Sequence, residues 1–129
     1  MTLILLLTNF AYAGCDDQPS NEVDWTNCNF VENLDLIGVG LANAKMSGVN
    51  LSLANLEKSQ LNNSDLSSGN FIFANFSNSN LYASNLQGAN CNNANFENAN
   101  LAKVIDLFLS LSFCLILLQQ IFKKREKKN

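Results

Sequence analysis

Four cysteines and no histidine decide most of the chemistry open to this chain of 129 residues. Without imidazole there is no Ser-His-Asp or Cys-His arrangement and no general base poised near neutral pH. A zinc site would need cysteines in closer pairs, usually with histidine beside them. Cys91 lies in a periodic hydrophobic stripe, where a thiol packs as a small hydrophobe, and Cys114 lies inside an apolar run. Cys15 and Cys28 remain as a candidate disulfide. Closing a loop of about a dozen residues would stabilise that end by roughly 3 kcal/mol. Free thiols and a lipidated Cys15 are the competing readings. Gly38-Val39-Gly40 imitates the start of a dinucleotide-binding loop but lacks the third glycine and the strand-to-helix setting. Asn50-Leu51-Ser52, Asn62-Asn63-Ser64 and Asn75-Phe76-Ser77 match glycosylation sequons only because the repeat around them generates the pattern. The sequence thus offers no catalytic, cofactor-binding or metal-ligating residues, and an enzyme is not expected.

The element that must position everything else is a repeat. Every fifth residue from Leu36 to Leu101 is core-sized, fourteen in succession, including Met46, Phe71, Phe76, Cys91 and Phe96. Neither the helix period of 3.6 nor the strand period of 2 holds such a stripe on one face, so a repeat architecture follows. Two residues before most centres sits a small partner, as at Ala44, Ala54, Ser59, Ser64, Gly69 and Ala74. Directly before most centres comes Asn or Asp, from Asp35 through Asn50, Asn55 and Asp65 to Asn100. Alternating large and small inward residues describe a narrow tube with a filled axis.

This A-N-L-x-x grammar, covering roughly half of the chain, resembles the pentapeptide-repeat family. The resemblance implies an all-β fold, a right-handed quadrilateral β-helix with one pentapeptide per side and four per coil. Leu34, Val39 and Val49 stand where the family prefers Ala or Ser, so the first coil is expected to be wider or less regular. Val23 with Trp25 and Cys28 with Phe30 repeat the grammar one residue out of register, because Phe30 and Leu36 are six apart. A one-residue bulge over Val31 to Asn33 would absorb the difference. The expected organisation is a signal peptide at 1–13, an N-terminal cap at 14–33, the solenoid at 34–103, a transmembrane helix at 104–122 and a basic tail at 123–129. A cap is needed because a bare terminal coil exposes strand edges and apolar surface.

Charge and hydropathy motivate the two ends. Between Gly14 and Lys103, nine acids against three lysines leave −6, while the last seven residues carry +4. Leu3 to Leu7 followed by Ala11-Tyr12-Ala13 reads as an export signal cleaved after Ala13. A lipoprotein box ending at Cys15 and an uncleaved run too short to span a bilayer are the alternatives. Val104 to Phe122 is long enough, at about 28 Å if helical, to approach the ~30 Å hydrocarbon thickness. The bases that follow at once fit a stop-transfer signal facing the cytosol. An apolar helix that caps or dimerises the solenoid, as in some relatives, competes with this span. Export and anchoring together place the solenoid on the outer side of a bacterial inner membrane.

Under the twenty-residue coil that the resemblance implies, Leu53 and Phe73 stack in one outward column with Ile72 beside them. A clustered apolar patch marks a contact surface for a protein partner or for self-association, with local packing against the cap or bilayer as the bland reading. Lys45 would stand above Asp65 as an exposed ion pair. The columns Asn50, Asn70, Asn90 and Asn55, Asn75, Asn95 would form amide ladders. Functionally the chain reads as a non-enzymatic scaffold or binding module with no nucleic-acid partner. The alternative is a cytosolic DNA mimic that binds topoisomerases, which some relatives of this family are.

Overall fold

A computed structural model describes residues 14–30 and 33–105. Parallel bridges join Asp35 to Asn55, Gly40 to Gln60, Lys45 to Asp65 and Asn50 to Asn70, and the same twenty-residue step continues to Asn85 and Ile105. Four bridges per coil make four faces. Their inward columns are Leu36, Leu56, Phe76 and Phe96; Leu41, Leu61, Leu81 and Leu101; Trp25, Met46, Leu66 and Leu86; and Phe30, Leu51, Phe71 and Cys91. Backbone bonds run both ways between coils, as in Leu56 N to Asn75 O at 2.7 Å and Asn75 N to Ala54 O at 2.9 Å. Phe76 and Phe96 stack with centroids 4.8 Å apart and planes at 4°, which is the strand-to-strand spacing expressed in side chains.

Corners explain why five residues suffice for a side. Leu36 O accepts from Val39 N, Leu41 O from Ala44 N, and so on around the tube. The residue two after each centre has φ near +60°, from Glu22 and Asn27 through Lys103. A bond from residue i+3 back to residue i with positive φ at i+2 is the type II turn. Asn or Gly occupies nine of these sixteen corner positions, since neither suffers much from the left-handed conformation. The Asn or Asp before each centre closes the corner from outside. Its Oδ1 accepts the amide two residues on, as in Ile37 N to Asp35 at 3.2 Å and Ser52 N to Asn50 at 3.2 Å.

The first coil is one residue longer than the others. Asp24 bridges Lys45 and Asn29 bridges Asn50, each twenty-one apart, before the step returns to twenty at Asp35. The extra residue therefore lies between Asn29 and Asp35, although Val31 and Glu32 themselves fall outside the described residues. Residues 24–30 thus form half a coil of the solenoid rather than a separate cap. No break in register accompanies Leu34, Val39 and Val49. The twenty-residue ladder is regular from Asp35 onward; Val49 is buried, and Leu34 and Val39 remain half-buried against the core.

The other end also needs correction. Val104 and Ile105 were expected to open a membrane span, but Val104 fills the small inward position and Ile105 donates its amide to Ser84 O at 2.9 Å. They belong to the last coil. The rest of the expected span, the signal segment and the basic tail lie outside the described residues. Among the described residues, no helix is long and apolar enough to cross a membrane.

Two comparisons of stability follow from the packing. Gly69→Ala should cost about 1–3 kcal/mol, because a Cβ there would sit 2.5 Å from Cε2 and 2.6 Å from Cζ of Phe71. In a Phe71→Leu background the same change should cost at least ~1 kcal/mol less, by urea unfolding in a double-mutant cycle. Equal costs would remove Phe71 as the cause. Ser64 Oγ donates to Leu61 O at 2.6 Å, whereas the buried Ser84 Oγ has no partner among the described residues. Ser64→Ala should therefore lose about 1 kcal/mol, while Ser84→Ala should be neutral or stabilising.

Candidate functional site

Corner positions point outward, so a solenoid of this kind presents its surface as columns of corner residues. The corner after the fourth face carries Ser52-Leu53, Ile72-Phe73 and Asn92-Asn93 in successive coils. Leu53 and Phe73 are 56% and 57% exposed, and Ile72 is half-buried beside them. Leu53 N donates to Ile72 O at 2.9 Å and Phe73 N to Asn92 O at 2.9 Å, so the two side chains are mounted on a hydrogen-bonded edge. Ile37, Tyr82 and Ile105 are also exposed, but each stands in a different column. Single exposed apolar residues are ordinary on any surface; a stacked pair with a third beside it is less so.

Backbone geometry adds a second observation. Leu53 and Phe73 have φ of 63° and 59°, the left-handed conformation that other corners mostly give to Asn and Gly. A bulky side chain there is an outlier, and the conformation costs roughly 1–2 kcal/mol for an ordinary residue. Sequence reasoning found the column but missed this strain. The signal was present in the Asn and Gly enrichment two residues after each centre.

Around the patch the surface is mostly amide. Asn75 Nδ2 donates to Asn55 Oδ1 at 3.1 Å and Asn95 Nδ2 to Asn75 Oδ1 at 3.2 Å, forming one expected ladder. The other expected ladder does not form. Asn50 Nδ2 instead reaches down to Asn29 Oδ1 at 2.7 Å, while Asn70 and Asn90 close their own corners. A ladder that had not been anticipated runs from Asn100 to Asn80 to Gln60.

Charged groups are few and solvated. Lys45 pairs with Asp24 below it at 4.0 Å, not with Asp65 above, whose Oδ1 accepts from Asn85 and from the Ser67 amide. Hydrogen bonds from the Thr26 side chain and then its amide hold the Asp24 carboxyl below its ordinary value, with Lys45 adding a smaller pull. Lys58 pairs with its neighbour Glu57 at 2.8 Å. Among the described residues, no three metal-ligating side chains come together. At the base of the tube, Cys15 and Cys28 are joined as a disulfide with Cα atoms 5.5 Å apart.

The family described as pentapeptide repeats matches residues 35–71 and 70–102, in eight copies. Among solved structures, HetL of the cyanobacterium Nostoc sp., a pentapeptide-repeat protein involved in heterocyst differentiation regulation, is 24% identical with a TM-score of 0.64. The match covers 70% of this chain and 42% of HetL, so the chain spans less than half of that protein. A pentapeptide-repeat protein of the Arabidopsis thaliana thylakoid lumen is 21% identical over 92% of this chain and 83% of its own, with a TM-score of 0.33. QnrB1, a plasmid-mediated fluoroquinolone resistance protein, is 17% identical over 80% of this chain and 65% of its own, with a TM-score of 0.35. No curated protein matches the chain in sequence. The likeness to HetL shows the fold, a right-handed β-helix.

Replacing Leu53 or Phe73 by Asn tests whether the patch is there for stability. Each change should leave the melting temperature unchanged or raise it, with a gain of up to ~1 kcal/mol, because Asn tolerates the left-handed corner. A clear loss of stability would show that these side chains pack internally.

Proposed function

The chain belongs to the pentapeptide-repeat family, and on that premise we propose a non-enzymatic binding module that meets a protein surface through the Leu53, Ile72 and Phe73 corner. Proteins of this family are in general structural or binding modules. One observation carries the reading. Two stacked apolar side chains are held more than half exposed in a backbone conformation that disfavours them. Strain of this kind is kept where the residue does something the cheaper one cannot. The occupant is a protein partner or a second copy of the chain.

The proposal includes placement on the outer side of a bacterial inner membrane. Its supports are the Ala11-Tyr12-Ala13 site, the apolar residues that follow Ile105, and the bases from Lys123 onward. A disulfide between Cys15 and Cys28 fits an oxidising compartment. With Val104 and Ile105 assigned to the solenoid, Asp106 to Phe122 retains seventeen residues, about 25 Å if helical and the lower limit for a span. The DNA-mimic reading gains no support from the surface. Three of the four bridge columns are amide-rich, and the column with most acids is broken by Lys45.

Two experiments test this. In cells, Leu53→Asn with Phe73→Asn should abolish a crosslinked partner or self-association band while the purified variant melts no lower than the parent. Truncating an interface anchor typically costs more than ~2 kcal/mol of affinity, enough to lose most of the complex. An unchanged crosslinking pattern would leave the corner without this role. Alkaline phosphatase fused after Ile105 should be active and fused after Asn129 inactive; activity at both junctions would sink the anchor.

A further inference from the structure

The base of the solenoid is closed by a segment that the inter-coil ladder does not hold. Backbone bonds to the next coil begin at Glu22 N to Ala42 O and continue with Trp25 N to Lys45 O. Residues 14–20 make none among the described residues. Among the described residues, their ties to the tube are the Cys15–Cys28 disulfide, the hydrogen bond from Trp25 Nε1 to Asp17 O at 3.3 Å and the turn bond from Val23 N to Ser20 O at 3.3 Å. A turn from Gly14 O to Asp17 N only folds the segment on itself. Yet it lies where a coil is missing. The twenty-one-residue offset of this end puts Cys15 under Leu36 and Ser20 under Leu41, and Cys15 packs against the core. Leu36, Leu41 and Trp25 are all buried, Trp25 with 1% of its surface exposed.

We propose that the Cys15–Cys28 disulfide is a reducible latch on a lid formed by residues 14–20, and that a dithiol reductant opens this lid and uncovers the end of the core. Chemistry and access fit together. Cys28 is fully buried and Cys15 only partly so, which makes Cys15 Sγ the more accessible sulfur for a reductant thiolate. The bond from Cys15 to Cys28 breaks and Cys28 leaves with the electron pair. The reductant's second thiolate then attacks the reductant sulfur bonded to Cys15 in the mixed disulfide, and Cys15 leaves as the thiolate. Two electrons pass to the protein, two protons end on Cys15 and Cys28, and the reductant becomes a cyclic disulfide. Coils from Asp35 onward keep their ladder, because none of their bonds passes through the lid. The latch is independent of the Leu53 and Phe73 corner, which lies on higher coils.

Trp25 is the only tryptophan of the chain and reports on the lid directly. Dithiothreitol added to the full chain should shift its emission to the red and raise acrylamide quenching several-fold, with the far-UV circular dichroism retained. Cys15→Ala should give the same quenching without reductant. Unchanged Trp25 quenching after confirmed reduction would overturn the proposal, since packing alone would then hold the lid. Loss of the β signal together with the lid would overturn it too, because the disulfide would be a staple for the whole solenoid. Resistance of the folded protein to the dithiol would exclude a latch.

Discussion

A parallel backbone ladder with a fixed twenty-residue step is the constraint on which the rest of this molecule depends. Once residue i must pair with residue i+20, every position becomes a column, and a column tolerates only what can stack at about 4.8 Å. The leucine column of Leu41, Leu61, Leu81 and Leu101 and the parallel rings of Phe76 and Phe96 are consequences of that spacing. So is the small residue two before each centre. Where Phe71 turns its ring toward that position, even a methyl group is excluded, and Gly69 stands there. The core is thus set by local rules repeated along one axis, and each coil is answerable mainly to its two neighbours.

Ladders alone would give flat ribbons; corners make the tube. Each corner needs one residue in the left-handed region and one side chain to cap the turn. Asn serves both needs at different positions, which is why it recurs so often. Before a centre its Oδ1 accepts the corner amide, and after a centre it tolerates positive φ. The amide ladders between coils are a secondary use of the first group. That ranking explains why Asn70 and Asn90 close their corners without bonding each other, whereas no stacked Asn in the row gives up its corner to make a ladder.

Most of the architecture was legible because a period of five admits few alternatives. Fourteen centres from Leu36 to Leu101 fixed the inward columns, and the six-residue gap from Phe30 to Leu36 marked the longer first coil. What was missed came from reading columns by a uniform step. A uniform step of twenty pairs Lys45 with Asp65, but at the long coil Asp24 is the neighbour below, and the ion pair goes there. Val104 and Ile105 look like the start of an apolar run because hydropathy carries no phase. Their positions in the repeat, inward and bridging, assign them to the solenoid. The candidate site was legible as an apolar column and illegible as strain, since φ at the corner follows from the turn and not from Leu53 or Phe73 themselves.

Function in such a fold is carried by departures from its own rules. The rules favour, at the second corner position, residues that bear positive φ cheaply, and they assign the ends of the tube to whatever can replace a missing coil. Seven of the sixteen corners depart from the first rule, and Leu53 and Phe73 are the two that do so with large apolar side chains left exposed. Residues 14–20 answer the second without a ladder, and they hold their place through a covalent bond that chemistry can reverse. Both departures leave the intervening coils untouched. A one-dimensional fold permits this, because a change at a corner or an end alters nearest-neighbour contacts and little else. The same independence that makes the repeat easy to recognise would let the proposed binding corner and lid be added to it without redesigning the core.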